Sequence, residues 1–282
     1  MDAKAAPSLD AFVQLAFCLE GRDKLSKLLQ YGSRALAFYV LSADPKSDVG
    51  RRLSALYKTM QQSRKAFRLG KSLTYYQKLR ALSGKKGLSE AQRYLQFVQN
   101  VGMLGYFVTD NLAFASKAQV LRLDADELAR RGGIMWFCAN VAGFFTAMDN
   151  LNADVEKEKC VRDILASEDD AARVDALNKQ LDALRGGRVK KLLAVLKVAC
   201  DLVVSSNTSG VRLAERITGS KLHDGIIGSV GCVSAAIVLY NTWPNAPKPA
   251  LPPSEKVEPK KESKIQETEA KSEETEDKTE TK

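Results

Sequence analysis

The most constraining feature of this chain is a run of 19 residues without a charged side chain, from Gly225 to Trp243. Its length matches the roughly 20 apolar residues that a helix needs to cross a bilayer. Tyr240 and Trp243 at its end are typical of the boundary between lipid and water. The pattern predicts a transmembrane helix over 225–243, and a fully buried glycine-rich core helix is the alternative.

Small residues recur along this segment, at Gly225, Gly228, Gly231 and Ala235. Residues of this size let two helices approach closely. They predict helix packing along this face, including contacts between copies of the protein. His223 and Asp224, just before the segment, are expected to form a polar cluster at the helix end rather than a catalytic pair, because no nucleophile motif accompanies them.

A basic stretch is the second constraint. Between Arg51 and Lys86 the chain carries eleven Lys or Arg residues and no acidic residue. An ordinary solvated helix face mixes both signs, because opposite charges four residues apart stabilise a helix. A one-sided basic face favours a helix that lies on anionic lipid, and a core-packing helix with a solvated basic face is the alternative.

Large apolar residues recur at helical spacing on one side of the first part of this stretch. A second apolar stripe, formed by Ala66, Leu69, Leu73 and Tyr76, takes over further on, so we expect the helix to twist, kink or split near residues 63–70. Binding to an anionic phospholipid membrane is predicted for Arg51, Arg52, Leu53, Leu56, Tyr57, Lys58, Met60, Arg64, Lys65, Phe67, Arg68 and Lys71.

Sparse proline and abundant Ala, Leu, Lys, Arg and Gln predict an all-α fold. Ser8 is a candidate cap for the first helix, Gly21 is expected to interrupt it, and Asp44–Pro45 is expected to end the next. The expected organisation is an amphipathic helical region (1–90), apolar helices (91–148), a charged helical linker (149–188) ending at Gly186–Gly187, a helical region with the transmembrane helix (189–243) and a disordered Lys/Glu-rich tail (244–282). A further span is expected within 91–116 or 132–148.

The sequence lacks the patterns that carry enzyme chemistry. It has no phosphate-binding loop, dinucleotide fingerprint or metal-ligand spacing. Its five cysteines are scattered and it holds a single histidine, so neither a disulfide framework nor a zinc site is expected. No recognition motif frames the aromatic residues of the basic stretch, which disfavours nucleic acid as a partner. We therefore expect a protein without a catalytic site, cofactor or metal.

Two N-terminal motifs resemble those of the peroxin eleven family. They are GRDKL at 21–25 with LLQYG at 28–32, and RKAFRLGK at 64–71. Tyr106 with Asp110–Asn111, Lys197 with Cys200–Asp201, and the glycine-rich segment that closes at Trp243 are similar in kind and order. The resemblance extends over residues 8–243.

The resemblance implies a peroxisomal membrane protein with both termini toward the cytosol. Such a protein would form homo-oligomers, elongate the membrane through its amphipathic region and promote fission. It would help to recruit or stimulate the dynamin-related fission GTPase through a tail-anchored adaptor. The alternative, which the resemblance also suggests, is a membrane pore for small metabolites, in which Asp110, Asn111 and Asn140 line a path.

Overall fold

A computed structural model of the protein describes residues 8–244. Within this range the chain forms nine helices and no strand, which confirms the all-α prediction. The helices are α1 (Leu9–Phe17), α2 (Leu19–Ala43), α3 (Asp48–Phe67), α4 (Lys71–Ser83), α5 (Glu90–Lys117), α6 (Ala125–Leu165), α7 (Ala171–Thr208), α8 (Leu213–Thr218) and α9 (Asp224–Thr242). Residues 245–282, which include nearly all of the predicted disordered tail, lie outside the described range.

Local capping chemistry explains where the first helices begin and end. The Ser8 hydroxyl accepts a hydrogen bond from the Ala11 N–H at 3.1 Å, as expected for a helix N-cap. The interruption predicted at Gly21 lies three residues earlier, at Cys18, which ends α1 and caps α2. The helix α2 ends at Ala43, directly before Asp44, as predicted.

The predicted break in the basic stretch is confirmed. The helix α3 ends at Phe67 and α4 begins at Lys71. Gly70 between them has φ of 72°, a left-handed conformation that glycine adopts at little cost. The break falls within the second apolar stripe, so that Leu73 and Tyr76 on α4 can face a different environment from the residues of α3.

Six long helices contact one another in a cyclic order. Going round the ring, α3 packs on α2, α2 on α9, α9 on α7, α7 on α6, and α6 on α5. The ring closes where α5 contacts α3, and α4 packs along α5 beside that junction. The helices therefore surround a common interior, to which each contributes one face.

The helices α6 and α7 are 41 and 38 residues long and form a hairpin. The predicted charged linker makes up its tip, but α7 continues through Gly186 and Gly187, where the sequence indicated an end. Arg185 and Arg188 of α7 pair with the buried carboxylate of Glu158 on α6. These ion pairs explain why the charged residues extend the two helices instead of interrupting them.

Among the described residues, α9 is the one helix long and apolar enough to cross a membrane. One of its sides packs on α2 and α7, whereas Ile226, Val233 and Tyr240 on the other side are exposed. His223 caps α9 through its Nδ1 atom, and Asp224 pairs with Arg34, so the expected polar cluster at the helix end is present. The segments considered for a further span lie within the longer helices α5 and α6.

Candidate functional site

The interior of the ring contains a cavity of about 580 Å³. Residues from α2, α3, α4, α5, α6, α7 and α9 line it. Its walls carry many charged side chains, several of which are buried. Buried charges cost several kcal/mol unless they are paired and hydrogen-bonded, so the pairing of these groups decides whether the interior is stable.

Asp23 on α2 is the acidic centre of one part of the wall. Its Oδ1 atom accepts a hydrogen bond from Arg64 Nε at 3.0 Å, and Lys24 Nζ lies 2.8 Å from its Oδ2 atom. Burial alone would raise the pKa of the Asp23 carboxyl, but Arg64, Lys24 and Arg68 together hold it well below its usual value. Asp23 is therefore a charged link between α2 and α3.

Asp110 on α5 is a second acidic centre. Arg68 Nη2 lies 2.9 Å from its Oδ2 atom, and Lys65 Nζ lies 3.8 Å from its Oδ1 atom. Arg68 also donates a hydrogen bond to the Tyr106 hydroxyl at 2.7 Å. The Tyr106 ring stacks on Trp136 of α6 with the ring centres 5.5 Å apart. This chain of contacts couples the end of α3 to α5 and α6.

Asp201 on α7 is the third acidic centre and the most connected. Its Oδ1 atom receives hydrogen bonds from Lys27 Nζ at 2.8 Å and from the Ser234 hydroxyl at 2.6 Å, and Lys197 Nζ lies 2.9 Å from Oδ2. Lys27 belongs to α2 and Ser234 to α9, so three helices meet at one carboxylate. Burial would raise the pKa of Asp201, but Lys27 and Lys197 hold it well below its usual value.

The structure divides the predicted membrane-binding residues into two groups. Arg64, Lys65 and Arg68 are buried in the cavity wall, and Lys71 is half-buried beside Glu20. Four apolar residues on the same inner side of α3 are half-buried: Leu53, Tyr57, Met60 and Phe67. The Tyr57 ring lies under the Arg34 guanidinium. The exposed members are Arg51, Arg52, Leu56 and Lys58.

Most of the predicted membrane-binding residues therefore pack inside the protein in this arrangement. The cations among them pair there with carboxylates that are distant in sequence. Asp23 precedes Arg64 by 41 residues. Only the exposed members lie where a membrane could reach them without movement of α3. The role of the whole set at a membrane stays a prediction.

Three of the four residues of the second apolar stripe face outward, and the fourth, Ala66 on α3, is half-buried. Leu69, Leu73 and Tyr76 are 54%, 67% and 54% exposed, at the spacing of one helix face. Arg80 continues the same face, and Lys85 and Lys86 follow in the exposed loop. We call Leu69, Leu73, Tyr76 and Arg80 the α4 face. The i, i+4, i+7 spacing was visible in the sequence, but it does not show which of two stripes is buried.

The small residues of α9 face α2. A Cβ atom added at Gly228 would lie 2.6 Å from the backbone nitrogen of Ala35 and 2.7 Å from the carbonyl oxygen of Tyr31. One at Gly231 would lie 2.3 Å from the Tyr31 ring, and one at Gly225 would lie 2.8 Å from Phe38. Ala235 is fully buried. This face packs against a helix of the same chain, so it is not open for the predicted contact between copies.

The ion pairs between the acidic centres and the basic stretch were not predicted from the sequence. The pattern that could have indicated them is a polar stripe on α2, formed by Asp23, Lys27, Gln30 and Arg34 at helical spacing. When a helix is polar on one side and apolar on the other, this pattern does not show which side faces the interior. Here Asp23, Lys27 and Gln30 are buried, whereas Leu29 and Leu36 on the apolar side are exposed.

The family described as Peroxisomal biogenesis factor 11 matches residues 9–243 of this chain. "Peroxisomal membrane protein 11 homolog" of Dictyostelium discoideum is 25% identical over 84% of this chain and 94% of that protein. "Peroxisomal membrane protein 11-4" of Oryza sativa subsp. indica is 30% identical over 86% of this chain and 99% of its own length. "Peroxisomal biogenesis factor 11" of Schizosaccharomyces pombe is 21% identical over 80% and 90%. No solved structure was found to match.

Proposed function

This chain belongs to the peroxisomal biogenesis factor 11 family, and from that premise we propose that it elongates the peroxisomal membrane and promotes peroxisome fission. The family and the relatives place it at the peroxisomal membrane, in agreement with the resemblance in its N-terminal motifs. The proposed role is that of a non-enzymatic factor that bends lipid. It needs a surface that binds anionic headgroups and inserts apolar groups between them.

The α4 face is the observation that carries this proposal. Three large apolar side chains are exposed along its length, no helix within residues 8–244 covers them, and cations lie at its end. Each Lys or Arg near an anionic surface contributes roughly 1 kcal/mol of attraction. The apolar groups can then enter the boundary between headgroups and acyl chains, which expands one leaflet and favours curvature. Arg51, Arg52 and Lys58, exposed on α3, extend the cationic surface.

The double substitution Leu73→Glu with Tyr76→Glu tests this surface. Two carboxylates on the α4 face repel anionic lipid and cannot insert, so we expect the purified protein to lose its ability to form tubules from anionic liposomes in electron micrographs. Delivery of the variant to peroxisomes should persist in cells, because α9 is unchanged.

Thr74→Glu with Gln77→Glu is the matched control, since these residues are also exposed on α4 and the charge change is the same. This control should keep at least part of the tubulating activity. Tubulation by the Leu73 and Tyr76 variant at the level of the unmodified protein would refute the proposed role of the α4 face.

We also propose that the protein self-associates, because many copies must insert apolar groups into the same membrane to form a tubule. The side of α9 that carries the exposed Ile226 and Val233 faces away from α2 and is the surface that we propose for this contact. The dynamin-related fission GTPase and its tail-anchored adaptor are the partners that we propose on the basis of the family.

A pore for small metabolites is a second candidate function, which the polar cavity favours. Asp110 and Asn140 line the cavity as the sequence predicted for a path, whereas Asn111 does not. Conductance of the purified protein in planar bilayers separates the candidates. Stable unitary steps would support a pore, and their absence together with tubulation would support the curvature role alone.

A further inference from the structure

The charges around the cavity are unbalanced. Among the described residues that line it are four carboxylates, Glu20, Asp23, Asp110 and Asp201. The lining cations are Lys24, Lys27, Arg34, Arg64, Lys65, Arg68, Lys71 and Lys197, twice as many. Each carboxylate is therefore shared, as Asp201 is between Lys27 and Lys197. Like charges held this close in a buried setting repel one another unless another anion is present.

Burial lowers the pKa of lysines in the wall, and neighbouring cations add to this effect. The pKa of Lys27 is lowered to about 8, chiefly by burial, with Arg64 and Lys197 acting in the same direction and Asp201 opposing them. Burial and the neighbouring Lys24 lower the pKa of Lys71, although Glu20 partly offsets them. Arg34 has its own partner in Asp224 beside the cavity, so the other seven cations share the four carboxylates. An added anion would restore the balance.

We propose that this cavity binds an organic phosphate, an anion with two or more negative charges and a small organic part. Its volume lies within the range of small-molecule sites, roughly 300–1,000 Å³. Arg64 and Arg68 line the cavity, and guanidinium donors match the oxygens of a phosphate, which would share them with Asp23 and Asp110. Tyr75, Tyr106 and Trp136 add aromatic walls for the organic part. Binding requires neither tubulation nor conduction, so it stands apart from both functions above.

The phosphate can reach the cavity either as a soluble metabolite or as a lipid headgroup. The edge of the cavity formed by Glu20 and Lys71 is partly exposed, with 47% and 23% of these side chains accessible. The same chemistry would recognise both forms. The experiment therefore presents the phosphate in both ways.

The fluorescence of Trp136 reports occupancy in the full-length protein. Trp136 stacks on Tyr106, and the Tyr106 hydroxyl receives a hydrogen bond from Arg68. A phosphate bound to Arg68 should therefore alter the emission of Trp136. The chain has two tryptophans, and a Trp243→Phe background leaves Trp136 as the single fluorophore of this kind.

The probes are inorganic phosphate, inositol trisphosphate, and nanodiscs with or without a phosphoinositide. A saturable response to the soluble probes identifies a metabolite site, and a response to phosphoinositide nanodiscs alone identifies a headgroup site; both support the proposal.

Substitutions of opposite sign separate ligand binding from folding. Lys71→Gln removes a cation at the partly exposed edge and should weaken binding about tenfold. Glu20→Gln removes a competing anion at the same edge and should strengthen binding by a similar factor. Lys157→Gln, exposed on α6 outside the cavity, is the matched control and should change nothing. No saturable response to any probe, or equal weakening by Lys157→Gln and Lys71→Gln, would overturn the proposal.

Discussion

At the scale of single residues, the three buried carboxylates hold the ring together. Asp23 joins α2 to α3, Asp110 joins α5 to the end of α3, and Asp201 joins α7 to α2 and α9. A buried charge is costly when it loses its partner, because the remaining ion cannot be resolvated. These residues specify which helix faces meet, rather than adding a large net stability.

Asp201→Asn should destabilise the protein by about 3–5 kcal/mol, because Lys27 would remain buried without a full counter-charge. Thermal unfolding of the purified protein in detergent, followed by far-ultraviolet circular dichroism, measures the effect. Asp175→Asn is the control on the same helix, since Asp175 forms an exposed pair with Lys179 that contributes little. Equal transition temperatures for the two variants would show that the cluster at Asp201 does not hold the helices.

At the scale of helices, the close approach of α9 to α2 depends on the absence of side chains. The backbone atoms of Tyr31 and Ala35 occupy the place that a Cβ atom at Gly228 would need. A backbone cannot rotate away as a side chain can. The interface therefore tolerates only glycine at this position, whereas a Cβ atom added at Gly187 in α7 would meet nothing within 4 Å.

Gly228→Ala should cost about 3 kcal/mol, because α9 must move away from α2 and give up tight packing. Gly187→Ala in the interior of α7 should instead stabilise the fold by about 0.5–1 kcal/mol, because nothing lies within 4 Å of the added Cβ atom and alanine favours the helix. The same unfolding assay measures both. A neutral Gly228→Ala would contradict the tight α2–α9 contact.

At the scale of the whole molecule, the fold buries a set of paired charges beside its apolar core and leaves many large apolar groups outside. Leu29 and Leu36 on α2, Phe97 on α5 and Val233 on α9 are exposed, while Asp23, Lys27 and Asp201 are buried. Exposed apolar surface of this extent marks contact with a membrane or with another protein. The polar interior and the apolar exterior are thus two separate working surfaces of one ring of helices.

Acid should unfold this protein. The cations around Asp23 and Asp201 hold the pKa of both carboxyls below the value of the unfolded chain. Both groups therefore stabilise the fold above about pH 4, and this stabilisation is lost as the pH falls below that value. Transition temperatures measured between about pH 7 and pH 3 should fall below pH 4. The Asp201→Asn variant should show a shallower fall, and an equally steep one would remove Asp201 from the explanation.

The sequence alone determined the helical class, the segment that became α9, the break between α3 and α4, and the small residues along one side of α9. Each of these follows from local chemistry: the helix period, the absence of charge over 19 residues, and the size of side chains. Capping at Ser8 and the end of α2 before Asp44 are local in the same sense. Such features depend on residues that are close together in the chain, so the pattern of the sequence is sufficient to predict them.

Only the tertiary structure decided what each face meets. The helix period places Arg64 and Arg68 on one side of α3, but it does not show whether that side meets lipid or a carboxylate. The partners lie far away in sequence, 41 residues from Asp23 to Arg64 and 174 from Lys27 to Asp201. Ring closure brings them together, which turns the inner part of the basic stretch into the wall of a cavity. It leaves the second apolar stripe, on α4, as the exposed one.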